Sequence, residues 1–129
     1  MILAMRTDKP EAELYLLLGG KVVDEIRWQA HRELANTLLI KIDEILERSS
    51  VKLSDITGIV IFTGKGSFTG LRIGTTVANS LAYSLSVPVV SATGLNWLSI
   101  GERKAGMAEP GSLVVPKYDS EPNITTPSK

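Results

Sequence analysis

The segment Thr63-Gly64-Lys65-Gly66-Ser67-Phe68-Thr69-Gly70 sets glycines, hydroxyls and a lysine at a strand-to-helix turn, the kind of place where backbone amides hold phosphate. Each phosphate template fails on spacing. A Walker A loop ending in Gly64-Lys65 needs glycine at position 59, which is Ile59, and a Ser or Thr at position 66, which is Gly66. The dinucleotide fingerprint fails because three residues, not two, separate Gly66 from Gly70, and no acid stands near residue 90 to hold a ribose. A nucleophile elbow around Ser67 has Lys65 and Thr69 where glycines belong. What is left is a glycine-rich turn, read either as a plain connection or as part of a contact surface.

The other chemistry-bearing residues are few. Asp8 stands at the end of the first extended stretch, where a carboxylate could meet a metal or a phosphate, while Glu11, Glu13 and Asp24 fall in a pattern expected of a solvated hairpin. His31 is the one histidine and reads as a polar residue near the start of a helix. Trp28 and Trp97 read as core or interface residues rather than platforms for bases. With no Cys, disulfides, zinc–thiolate sites and thiol catalysis are excluded. Fourteen basic residues balance fourteen acidic ones, so no overall positive field favours autonomous binding of nucleic acid.

These residues are positioned by a simple run of elements. Residues 2–5, 11–18 and 21–29 read as three short strands, and Gly19-Gly20 suits a two-residue hairpin turn. Residues 32–48 change to helical period, with Leu34, Leu38, Ile42, Ile45 and Leu46 on one stripe. The β-branched run Ile56-Thr57-Gly58-Ile59-Val60-Ile61-Phe62 lacks polar alternation, as a strand covered on both faces does. A second helix is expected from about residue 69 to 84, a fifth strand over residues 87–91, and a short helix capped by Thr93 and ending at Leu98 or Ile100.

The order β-β-β-α-β-α-β-α predicts an α/β fold with a mixed five-stranded sheet, that of a ribonuclease H-like or actin-like ATPase lobe. The 129 residues suit one domain, expected over residues 1–100. A proline-rich tail is expected over 101–129, packed near 113–118. The start of the chain does not read as a signal peptide and no apolar run approaches a membrane span, so a cytoplasmic location is expected.

In the second helix Gly70, Gly74, Ala78 and Ala82 recur every four residues, flanked by Ile73, Val77 and Leu81. Such a ridge lets a neighbour approach closely, either the first helix of the same domain or a helix of a partner chain.

Residues Phe62-Thr63-Gly64-Lys65-Gly66-Ser67-Phe68-Thr69-Gly70-Leu71-Arg72-Ile73-Gly74 resemble the Gly-Pro-Gly-Ser-Phe-Thr-Gly-x-Arg-x-Gly signature of the bacterial TsaB (YeaZ-like) family. Ile2-Leu3-Ala4, Ala78-Asn79-Ser80-Leu81-Ala82, Val87-Pro88-Val89-Val90 and Thr93-Gly94-Leu95 are also similar to that family, as is Val115-Pro116-Lys117-Tyr118 to Glu121-Pro122. The resemblance implies an actin-like lobe without ATPase chemistry. It implies an accessory subunit for making threonylcarbamoyladenosine in tRNA, with no cofactor of its own and ATP handled only by partner subunits.

The implied partners are a TsaD-like catalytic subunit and a TsaE-like ATPase, with tRNA reached indirectly. A homodimer through the same helices is the alternative assembly, and a residual nucleotide hydrolase or peptidase the alternative activity. The residues carried over to the subunit contact are Gly64, Gly66, Ser67, Phe68, Thr69, Gly70, Arg72 and Gly74, joined by Ile73, Val77, Ala78 and Leu81 from the ridge. Lys65 replaces the family's proline and Arg6-Thr7-Asp8 its Asp-Thr-Ser, which weakens nucleotide binding. Family members have a second lobe, most of which is expected to be missing here.

Overall fold

The computed structural model describes residues 1–65 and 68–115, Phe68 by its backbone alone. Three strands come first: β1 (Ile2–Arg6), β2 (Glu11–Leu18) and β3 (Lys21–Gln29). At the β2–β3 turn Gly19 and Gly20 take φ of +60° and +82°, so Leu18 pairs directly with Lys21. Positive φ at both turn residues is what a type I′ hairpin demands, and only glycine takes it without strain. A 3-10 turn at His31–Glu33 leads into α1 (Leu34–Arg48), followed by β4 (Gly58–Phe62), α2 (Phe68–Leu85), β5 (Val89–Ala92) and α3 (Trp97–Met107).

The sheet runs β3-β2-β1-β4-β5, with β1 antiparallel to β2 and parallel to β4, and β4 parallel to β5. This is the mixed five-stranded sheet expected from the order of elements. Alternation along the central strands builds two cores. Leu3, Met5, Leu14, Leu16, Ile59 and Ile61 face α1 and α2, while Ala4, Tyr15, Leu17, Val60 and Phe62 face α3. Every residue of β4 is buried, which accounts for its unbroken apolar run. The α1 stripe of Leu34, Leu38, Ile42, Ile45 and Leu46 is buried as its period required.

Three expectations are corrected. The last helix starts at Trp97, not Thr93, because Gly94 adopts φ +89° and turns the chain before a helix can begin. It also runs past residue 100 to Met107, so the boundary expected at Gly101 falls inside α3. Gly101 is there because α3 lies so close to β4 that a Cβ would come within 2.3 Å of Val60 Cγ1. Finally, Glu13 is not solvated: it is 6% exposed, accepts the Tyr15 hydroxyl hydrogen bond and pairs with Lys9 at 3.4 Å.

Of the tail, Val114 packs half-buried against the α1–α2 core, and residues 116–129 lie outside the described residues. No helix among the described residues is long and apolar enough to cross a membrane.

Asp24 ties β3 to the end of α1. Arg48 donates to its carboxylate at 2.7 and 3.0 Å, and the Ser49 hydroxyl donates at 2.8 Å. The Arg48 hydrogen bonds, helped by Ser49 and opposed by partial burial, hold the Asp24 carboxyl at about 2 against an ordinary 3.8. A depressed folded value stabilises above the ordinary carboxylate range and fades as pH falls through the folded one. Asp24→Asn should therefore lower stability to urea at pH 7, with the gap to wild type closing between about pH 4 and pH 2.

Candidate partner-binding site

The α2 helix grows out of the turn that follows β4. In that turn Gly64 is needed for closeness rather than for positive φ, since a Cβ there would lie 2.5 Å from Phe62 Cζ and 2.9 Å from Thr93 Oγ1. Gly66, Ser67 and the Phe68 side chain, expected at the subunit contact, lie outside the described residues. Thr7, at the end of β1, donates through its hydroxyl to the Gly70 carbonyl at 2.8 Å. One turn on, a Cβ on Gly74 would fall 2.1 Å from Thr7 Oγ1 and 3.1 Å from Ile61 Cδ1. Ala78 and Ala82 are 0% and 3% exposed in the same core.

The small-residue ridge thus packs on the domain's own sheet. It meets β1 and β4 rather than the first helix, which corrects the within-domain neighbour expected from spacing. A Gly74→Trp substitution would disrupt this packing instead of probing a surface.

The flank of α2 beside α1 is different. Ala35 of α1 and Thr69, Arg72, Ile73, Thr76 and Val77 of α2 line a groove of about 370 Å³. Thr69, Arg72 and Thr76 are exposed there, while Ile73, Val77 and Leu81 are half-buried. On α1, Leu39 and Ile40 are 54% and 62% exposed. Leu39 lies one helical turn past the groove-lining Ala35, and an apolar side chain with that exposure beside an open groove suits a helix–helix contact; Ile40 points away from the buried stripe of α1. Sequence reading missed Ala35, Leu39, Ile40 and Thr76; the available signal was that Leu39-Ile40 falls off the buried stripe of α1.

A second cleft, of about 590 Å³, opens where β1 ends, between Thr7, Lys9, His31, Arg32 and the first turn of α2. His31 holds φ +46° in the short turn ahead of α1. Asp8, the acid best placed by sequence to act here, is 5% exposed and engaged by Arg6, which donates to it at 2.8 and 3.3 Å. The Arg6 guanidinium in turn lies 3.8 Å above the Phe62 ring. Burial works against the charge on Arg6, but the Asp8 hydrogen bond and the charges of Asp8 and Glu13 outweigh it and raise its pKa. Burial pushes the Tyr15 hydroxyl up as well, and its bond to Glu13 adds to the shift. Among the described residues no group of three or more His, Cys, Asp or Glu is placed to hold a metal.

Trp28 and Trp97 serve packing. Trp97 meets Tyr15 and Phe62 edge-on at 5.8 and 5.5 Å, and Trp28 Nε1 donates to Thr37 Oγ1 at 2.9 Å.

A family model described as TsaD, tRNA N6-adenosine threonylcarbamoyltransferase, matches residues 19–116. The chain belongs to this family. Within it the chain is TsaB/YeaZ-like. It is 33% identical over 94 residues to the tRNA threonylcarbamoyladenosine biosynthesis protein TsaB of Haemophilus influenzae, covering 73% of this chain and 39% of that one. The TsaB of Bacillus subtilis is 29% identical, covering 79% of this chain and 44% of its own length. The tRNA N6-adenosine threonylcarbamoyltransferase of Geotalea daltonii is 39% identical over 71 residues, which is 55% of this chain and 20% of the enzyme.

Among solved structures, YeaZ from Pseudomonas aeruginosa superposes with a TM-score of 0.67 at 31% identity, over 73% of this chain and 44% of that one. The chain therefore spans well under half the length of the TsaB relatives it matches, and the likeness to YeaZ agrees with the mixed sheet described above.

The closeness of α2 to β1 in this TsaB-like lobe can be tested directly. Gly74→Ala should cost about 1–3 kcal/mol in urea unfolding, the usual range for overpacking a filled core. In a Thr7→Ala background the cost should shrink, because the atom the new methyl would strike is gone.

Proposed function

We propose that this chain is a non-catalytic accessory subunit in tRNA threonylcarbamoyladenosine biosynthesis, and that it pairs through α1 and α2 with a TsaD-like transferase. The observation that carries the reading is the open α1–α2 groove, with Leu39 exposed one turn past its lining residue Ala35. Family membership supports the pathway, since the TsaB relatives are biosynthesis proteins for that nucleoside by name. Thr69, Arg72, Ile73, Val77 and Leu81 supply the α2 side of the contact, with Gly64 and the residues after it shaping its entrance. Gly70, Gly74 and Ala78 act one layer below, by setting how deep α2 sits. A TsaE-like ATPase would join the pair, ATP and tRNA would be handled by these partners, and the assembly would work in the cytoplasm.

The hydrolase or peptidase reading draws less support. The carboxylate it would rely on, Asp8, is buried against Arg6. The zero net charge also accords with a subunit that leaves tRNA contact to others.

Mixing the chain with the TsaD-like transferase of the same source should give a complex at micromolar concentration, measured by light scattering. Leu39→Glu and Thr76→Arg, each placing a charge in the contact without touching the core, should weaken it by about tenfold or more. Absence of any complex with the wild-type chain, or full affinity in both variants, would rule the reading out. Mass measurement of the chain alone distinguishes a homodimer through the same helices.

A further inference from the structure

Asn79 lies two residues past Val77, hence roughly 200° around the helix on the flank of α2 turned from α1, one turn beyond the groove-lining Thr76. Its side-chain amide donates to the Val114 carbonyl at 3.0 Å and accepts from the Val114 N–H at 3.0 Å. One planar side chain thus satisfies both backbone groups of one residue, as a neighbouring strand would, and does so without regard to the side chain presented. The side chains follow an extended pattern. Val114 turns inward against the α1–α2 core, while Leu113 and Val115 on either side are 65% and 77% exposed.

The path of this segment gives it leverage. The preceding helix, α3, ends at Met107 and packs on the opposite face of the sheet, with Val60, Phe62 and Tyr15. Between Met107 and Val114 the chain therefore passes from one face to the other. Pro110, Gly111 and Leu113 border a cavity of about 240 Å³ whose far wall is Ala82, Tyr83 and Val87. Beyond this space the segment is fastened by the two Asn79–Val114 hydrogen bonds and by the packing of Val114.

We propose that the Asn79 flank of α2 is a backbone-reading site whose ligand is the chain's own segment over residues 112–115, which follows the Gly111 turn. Seated there, the segment is a strap that joins the two faces of the sheet and stiffens the C-terminal half of α2. The Asn79 hydrogen bonds read backbone alone, and any preference for a compact apolar side chain at the central position comes from the α1–α2 core against which Val114 packs. Neither Asn79 nor the segment lines the α1–α2 groove, so the proposal stands whether or not a partner binds there.

Hydrogen exchange on the full chain, followed residue by residue by NMR, tests this. In the wild type the Val114 amide should be protected. Asn79→Ala should raise its exchange by about tenfold or more and speed the α2 amides after Val77 with it, while β4 amides keep their rates. Val114→Pro, which deletes the donor and leaves α2 untouched, should produce the same loosening of α2. The proposal falls if Val114 exchanges unprotected in the wild type, or if α2 stays unchanged when the strap is released. It falls equally if both variants loosen β4 along with α2.

Discussion

The fold rests on how close α2 comes to the centre of the sheet. Gly70 and Gly74 bring the helix backbone down onto Thr7 and Ile61, to a depth at which a single added methyl would lie 2.1 Å from the Thr7 hydroxyl oxygen. At that depth the Thr7 hydroxyl reaches the Gly70 carbonyl, which fixes the first turn of the helix along its axis as well as across it. Dispersion contacts fall away steeply with small gaps, so the closeness is itself stabilising. Ala78 and Ala82 continue the contact, and the bulkier Ile73, Val77 and Leu81 are left to face α1. The groove between the helices is therefore a by-product of the packing beneath it.

The same economy shapes the other face. Tyr15, Phe62 and Trp97 fill the space under α3, and the charges of Arg6, Asp8 and Glu13 stand at the rim of that aromatic cluster. Each has a partner: Asp8 has Arg6, Glu13 has Tyr15 and Lys9, and Arg6 also has the face of Phe62. A carboxylate so engaged is costly to free, because removing one member of a buried pair strands the other. The end of β1 is thereby fixed by ion pairs and hydrogen bonds.

Much of this was readable from residue order. The α1 stripe, the fully buried β4 and the Gly19-Gly20 turn each have a local signal of period or conformational need, and each came out where that signal put it. The misreadings share another origin. Glu13 looked solvated because alternation marks it as one of a pair of faces without saying that the second face is also covered, here by α3. The third helix was cut short at the shift to proline-rich composition expected from residue 101, whereas Gly101 itself lies inside the helix and answers a contact with Val60 forty-one positions earlier. The small-residue ridge was correctly seen as a surface of close approach, but spacing carries no address, and the neighbour proved to be the sheet. Leu39 was passed over although it falls off the buried stripe of α1, because a stripe marks what is buried and not which of the remaining side chains border an open groove.

The strand order has a kinetic side. The two hairpins that join β1, β2 and β3 close over short connections, but β1 meets β4 in parallel, with Ile2 opposite Gly58. That pairing must wait until α1 has carried the chain across, and its loop-closure entropy is met only when α2 seals the result from above. The meander is thus placed to form early and the central parallel register late. Until β4 pairs with β1, a growing chain holds a half-made sheet with the edge of β1 unsatisfied.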